Sequence, residues 1–153
     1  MPYEYNATVV NVVDGDTIVI DIDLGFDVKL TNQKVRLLGV DTPESRTSDK
    51  IEKVFGTASK DFTKKFVENC PNKNVIIRTH ISDDDEKFGR LLGSIIDPVT
   101  QKVLNDELVN NNFAVKYMGE NKINVREEHL KNRKILIDNK IIKMTYAEAQ
   151  ITK

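Results

Sequence analysis

Three short runs rich in β-branched and other apolar residues, ATVVNVV (7–13), TIVIDID (17–23) and VRLLGV (35–40), follow one another with turn signals between them, Asp14-Gly15 and then Thr31-Asn32-Gln33. Residues of this kind favour the extended backbone, and closely spaced turns force consecutive strands to pair, so the chain begins as a meander. Two further runs, NVIIRTHI (74–81) and RLLGSII (90–96), bring the count to about five strands, joined by the polar segment SDDDEKFG. Between the two groups lies FGTASKDFTKKFVENC (55–70), where Ala58, Phe62, Phe66 and Cys70 recur at helical spacing with lysines opposite and Pro71 stops the pattern. This spacing predicts an amphipathic helix lying on the sheet. A second helix is expected with Asn105 as its N-cap and Leu104, Leu108, Val109 and Phe113 on its apolar side, and a third over 125–137. Five short strands interrupted and followed by helices predict an α+β chain built as a small antiparallel barrel of OB type capped by three helices; an open α+β sandwich is the alternative.

At 153 residues one domain spanning 1–153 is expected, with its core over 5–142 and a tail, 143–153, left unassigned. No apolar run approaches the roughly 20 residues that a membrane span requires. The start, MPYEYNATVV, has neither the basic residues nor the apolar stretch of an export signal, so a cytoplasmic location is expected. Cys70 is alone and reads as a small buried residue. With 23 Lys and Arg against 24 Asp and Glu, the chain cannot grip nucleic acid by overall charge. Any phosphate chemistry must come from a local site.

Three polar clusters could form one. Asp14-Gly15-Asp16-Thr17 is what a plain hairpin turn would use, yet it places Asp16 at the start of a strand, where a carboxylate needs a partner. In KVRLLGVDTPES, strand alternation puts Arg36 on the same face as Leu38 and Val40, and an arginine on such a face usually meets an anion. Thr42 precedes Pro43 and is biased to an extended conformation, which exposes its carbonyl; Glu44 opens the polar loop that follows. Lys87-Phe88-Gly89-Arg90 is a glycine-bent turn between cations. The acidic run before it fails as an EF-hand, because Lys87 stands where an oxygen ligand is required. His80 and His129 have no cysteine or second histidine at ligand spacing, so zinc is not expected and neither histidine is assigned a role. The sequence has no glycine-rich phosphate loop and no Gly-x-Ser-x-Gly elbow.

VVDGDTIVI, VRLLGVDTPE, FGTASKDFTKKFVEN, EKFGRLLG and LNDELVNNNFA, in this order, resemble the staphylococcal nuclease family over about three quarters of the chain. The resemblance implies the five-stranded barrel with three helices and a calcium-dependent nuclease that cuts DNA and RNA with little sequence preference, leaving 3′-phosphates. It matches Asp16, Asp41 and the Thr42 carbonyl to the metal ligands, Arg36 and Arg90 to the arginines that hold the reacting phosphate, and Glu44 to the general base. Lys87 resembles the phosphate-contacting lysine and Tyr117 a nucleotide-side tyrosine. Three carboxylates close together require a cation, and an all-oxygen ligand set selects a hard one, calcium or magnesium, over zinc or copper; the resemblance implies Ca2+, with Mg2+ as the alternative. Phe88 and Tyr117 at the edge of the barrel would stack unpaired bases and favour single-stranded regions.

Phe88 stands where the family commonly has tyrosine, so a hydroxyl donor is absent and weaker substrate binding is expected. The stretch between Thr17 and Lys34 is several residues longer than usual in the family. A nuclease kept inside a cell endangers it, which points to restricted timing, low calcium or a phage setting. The competing reading is a nuclease-like barrel that has lost catalysis and binds nucleic acid or protein. Such domains lose an acidic ligand or an arginine, and here Asp16, Arg36, Asp41, Glu44 and Arg90 are all present.

Overall fold

The computed structural model describes residues 3–80, 91–119 and 121–151. Strands β1 (Glu4–Asp14), β2 (Thr17–Asp23) and β3 (Lys29–Leu37) form the expected meander, and β5 (Asn74–Thr79) and β6 (Leu91–Ile96) close it into a five-stranded barrel in the order β1-β2-β3-β6-β5. The short β4 (Val40–Asp41) and β7 (Val115–Lys116) pair beside it. Alternation fills the interior: Ile18 and Ile20 of β2, Val35 of β3, Ile77 of β5 and Ile95 of β6 are fully buried. Removing each such side chain from water stabilises the fold by roughly 1.5–3 kcal/mol. The barrel is not wholly antiparallel, because β3 and β6 run parallel through Val35↔Leu91, Arg36↔Leu92 and Leu37↔Gly93. A parallel pair needs a long crossover, here supplied by β4, the first helix and β5.

Helix α1 (Lys50–Glu68) starts five residues before the apolar pattern, where the Asp49 carboxylate accepts from the backbone N–H groups of Ile51 and Glu52 at 3.0 and 3.2 Å. Its deepest face is Phe55, Gly56, Ser59, Thr63 and Val67, with Ala58, Phe62 and Phe66 only partly buried. The small residues let the helix approach closely, and their hydroxyls bond buried carbonyls: Ser59 to Phe113 at 2.6 Å and Thr63 to Gly15 at 2.7 Å. Helix α2 (Leu104–Asn110) begins after Val103, so Asn105 is not its cap. Asn105 is buried instead, donating to Leu38 and Gly93 and accepting from Ile95, which ties α2 to the ends of β3 and β6.

Helix α3 (Lys122–Asp138) is capped by Asn121 and buries Arg133 and Leu136. The following segment folds back as α4 (Tyr146–Ala149), where Ala149 is buried and its carbonyl accepts from Arg133 Nη1 at 2.8 Å. Among the described residues, no helix is long and apolar enough to cross a membrane.

Candidate active site

The β1–β2 connection is a two-residue turn, Gly15-Asp16, closed by the Asp14↔Thr17 pair. Asp16 therefore sits in the turn and not in the strand. Gly15 is pressed against α1 so closely that a Cβ would lie 2.9 Å from that of Ser59. The turn is thus fixed, and with it the Asp16 carboxylate, which is almost fully buried. Its Oδ1 accepts from the Thr17 hydroxyl at 2.9 Å, and its Oδ2 accepts from the Thr42 N–H at 3.1 Å and faces Arg36 Nη1 at 3.3 Å. The Asp16 carbonyl also accepts from the Leu37 N–H, locking the turn to the end of β3.

At that end, Val35 and Leu37 point into the core while Arg36 and Leu38 point outward, so Leu38 is a half-buried wall residue and not a core one. Gly39, at φ +76°, reverses the chain tightly enough to return the Val40 carbonyl to Arg36. Arg36 Nη1 donates to Val40 at 2.8 Å and to Leu37 at 3.2 Å, and Nη2 faces Asp41 Oδ1 at 3.3 Å. One guanidinium, held by two carbonyls, bridges two carboxylates.

Asp41 has a second partner that the sequence did not reveal: His129 of α3 lies 2.8 Å from its Oδ2 through Nε2. Another overlooked residue is Asp14, which accepts from both the backbone N–H and the hydroxyl of Ser45 and so holds the loop that carries Glu44. That loop also rests on α1, where the Glu44 carbonyl lies directly over Gly56. Glu44 itself is exposed at the rim. Partial burial pushes its carboxyl above the ordinary carboxylate range, reinforced by the charges of Asp14, Asp16, Glu52 and Asp41.

Asp14, Asp16, Lys34, Arg36, Asp41, Glu44 and Tyr117 line one open pocket of about 840 Å³. Tyr117 is placed there by its backbone N–H, which donates to the Gly39 carbonyl at 2.9 Å. Lys87, Phe88 and Arg90 lie outside the described residues. Among the described residues of its wall, four carboxylates stand against two cations. No three Asp, Glu, His or Cys side chains stand at metal-ligand spacing among the described residues. Asp16 and Asp41 nevertheless bring two carboxylates to one Arg36 guanidinium, and the Thr42 hydroxyl, whose backbone N–H donates to Asp16, is buried without a hydrogen-bond partner. The donors present fit a hard divalent cation.

The family model for staphylococcal nuclease homologues matches residues 34–144. The chain belongs to this family. It is similar to a thermonuclease of Staphylococcus intermedius, 39% identical over 87 residues that cover 55% of this chain and 44% of that protein. It is also similar to a thermonuclease of Staphylococcus hyicus, 27% identical over 111 residues that cover 72% of this chain and 59% of that protein. The chain thus spans about half the length of these two relatives. An uncharacterized protein of Methanocaldococcus jannaschii is 28% identical over 152 residues, covering 84% of this chain and 70% of that protein.

Proposed function

We propose that the chain is a Ca2+-dependent nuclease that hydrolyses phosphodiester bonds of DNA and RNA with little sequence preference and leaves 3′-phosphate ends. The observation that carries this reading is the bridging of Asp16 and Asp41 by Arg36 at the mouth of one pocket, in a chain that belongs to the staphylococcal nuclease homologues. A phosphodiester entering a pocket with four carboxylates is repelled unless a cation offsets them. Asp16, Asp41 and the Thr42 carbonyl would hold that cation, with Ca2+ the expected ion and Mg2+ the alternative. When bound, the ion supplies Lewis-acid polarisation of the phosphoryl oxygen and offsets the acidic wall.

Arg36 holds the phosphate. Its carbonyl bonds fix the guanidinium plane, and a phosphate oxygen arriving at Nη2 replaces only the 3.3 Å contact to Asp41. Arginine suits a transition state that gathers negative charge, because it stays protonated and can serve two oxygens at once. By the family resemblance Arg90 is assigned the same task, and Lys87 a supporting phosphate contact. Glu44, at the rim of the same pocket, takes the proton of the attacking water. Tyr117, in the pocket wall, offers a face on which an unpaired base can stack, favouring single-stranded regions, and Phe88 is assigned the same role by the family resemblance.

The test is digestion of plasmid, single-stranded DNA and RNA with Ca2+, with Mg2+ and with chelator, followed by chemical identification of the new termini. Ca2+-dependent cutting to 3′-phosphates supports the proposal. Cutting that persists in chelator, or 5′-phosphate products, contradicts it. Binding of nucleic acid without any cutting would establish the catalytically inactive binding module instead.

A further inference from the structure

His129 has no place in the mechanism above, yet it is the nearest described partner of Asp41. Its Nε2 lies 2.8 Å from Asp41 Oδ2, shorter than the 3.3 Å contact of Arg36 to Oδ1. A carboxylate can only accept, so Nε2 carries the proton and donates. The imidazole is well enclosed, its side chain 15% exposed. The helix behind it is anchored on the same face: Asn132 donates to the Ala114 carbonyl at 3.2 Å, and Arg133 lies over the Phe55 ring at 5.1 Å and donates to Ala149. His129 is therefore a donor fixed in advance by α3.

Asp41 is less constrained. Its backbone is held in the short β4–β7 ladder, but its side chain is one-third exposed and has these two described partners. Of the two, Arg36 is the one that must turn to the substrate phosphate.

We infer that His129 is the positioning residue for Asp41: it keeps the Asp41 carboxylate aimed at the cation site when Arg36 leaves it to bind phosphate. This rests on the proposed function and adds a dependence of metal affinity on α3, a helix that supplies none of the metal ligands or the assigned catalytic residues. Outer partners that orient a metal-binding side chain commonly change affinity by roughly 10- to 100-fold when removed. The bond asks for an N–H at the Nε2 position and nothing else of the imidazole. Glutamine can place one there, and leucine cannot.

The experiment compares wild type, His129→Leu and His129→Gln in two readouts. The first is calorimetric titration of Ca2+ into protein saturated with a phosphorothioate oligonucleotide, and the second is the Ca2+ dependence of DNA cutting. The expected result is an apparent Ca2+ dissociation constant raised about 10-fold or more in His129→Leu, with kcat at saturating Ca2+ within about 3-fold of wild type, and near-complete rescue in His129→Gln. Melting temperatures in chelator report whether either variant is simply less well folded. Wild-type Ca2+ affinity in a folded His129→Leu protein overturns the inference while leaving the nuclease reading intact. Equal losses in both variants also overturn it, because the donor would then be irrelevant. A wild-type protein that neither binds Ca2+ nor cuts removes the nuclease reading and this inference with it.

Discussion

Gly56→Ala tests whether α1 sets the position of Glu44. Alanine is the better helix former by about 1 kcal/mol, so from the helix alone the variant should gain stability. The surroundings oppose this. A Cβ at Gly56 would lie 2.1 Å from the Glu44 carbonyl oxygen, 2.3 Å from its carbon and 2.6 Å from the Ser45 nitrogen. All three are backbone atoms, so no rotamer change relieves the clash. Restoring ordinary contact at about 3.4 Å requires a separation of about 1.3 Å between helix and loop. Overpacking of this kind costs about 1–3 kcal/mol, and with only backbone atoms in the way the upper end applies, which exceeds the propensity gain. We expect a net loss near 2 kcal/mol, or about 4–8 °C in Tm for a chain of this size. The loop that moves carries Glu44, and a misplacement of about 1 Å can lower kcat/KM by roughly 100-fold. Urea unfolding and initial rates of DNA cutting at saturating Ca2+ are the assays. A Gly56→Ala protein with unchanged or higher Tm and wild-type kcat/KM would refute the claim that α1 holds the Glu44 loop in place.

Other expectations follow from single contacts. The Cys70 thiol is pushed up to about 11 by burial and then by Asp97, so it should stay unreactive toward a thiol reagent at pH 8 until the protein unfolds. Glu44 carries a carboxyl raised above its ordinary value of 4.5, so ionising it costs native stability above its native pKa, and this cost is relieved below the unfolded value. In chelator, Glu44→Gln should therefore melt higher than wild type at pH 8, with the difference shrinking as pH falls toward 4.5; a constant difference would argue against the linkage. Removing residues 143–153 takes away the Ala149 carbonyl that Arg133 Nη1 uses at 2.8 Å and should lower stability by about 2–3 kcal/mol, read by urea unfolding.

The barrel was legible because Val and Ile alternate in ATVVNVV and TIVIDID and because Asp-Gly marks the first turn. The cluster of Arg36, Asp41 and Glu44 was legible because unlike charges at the end of an apolar strand demand partners. Other contacts had no local signal. His129 meets Asp41 across 88 positions of sequence, and a histidine on a polar helix face looks like any solvated one. Ser59 and Thr63 fall outside the apolar repeat of Ala58, Phe62 and Phe66, yet they form the deepest contacts of α1, because a hydroxyl that bonds a buried carbonyl behaves as a small core residue. Asn105 resembled a helix cap for the same reason that it serves as a clamp, since its amide can both donate and accept. The parallel pairing of β3 and β6 follows from the crossover path, which strand patterns do not encode.

The most direct test of the account is the initial rate of single-stranded DNA cutting at saturating Ca2+ by wild type, Arg36→Ala and Glu44→Gln, each shown to be folded by its melting curve. We expect Ca2+-dependent cutting by wild type and losses of at least about 100-fold in both variants, because each removes a group that stabilises transition-state charge or accepts a proton. Wild-type rates in either folded variant would contradict it.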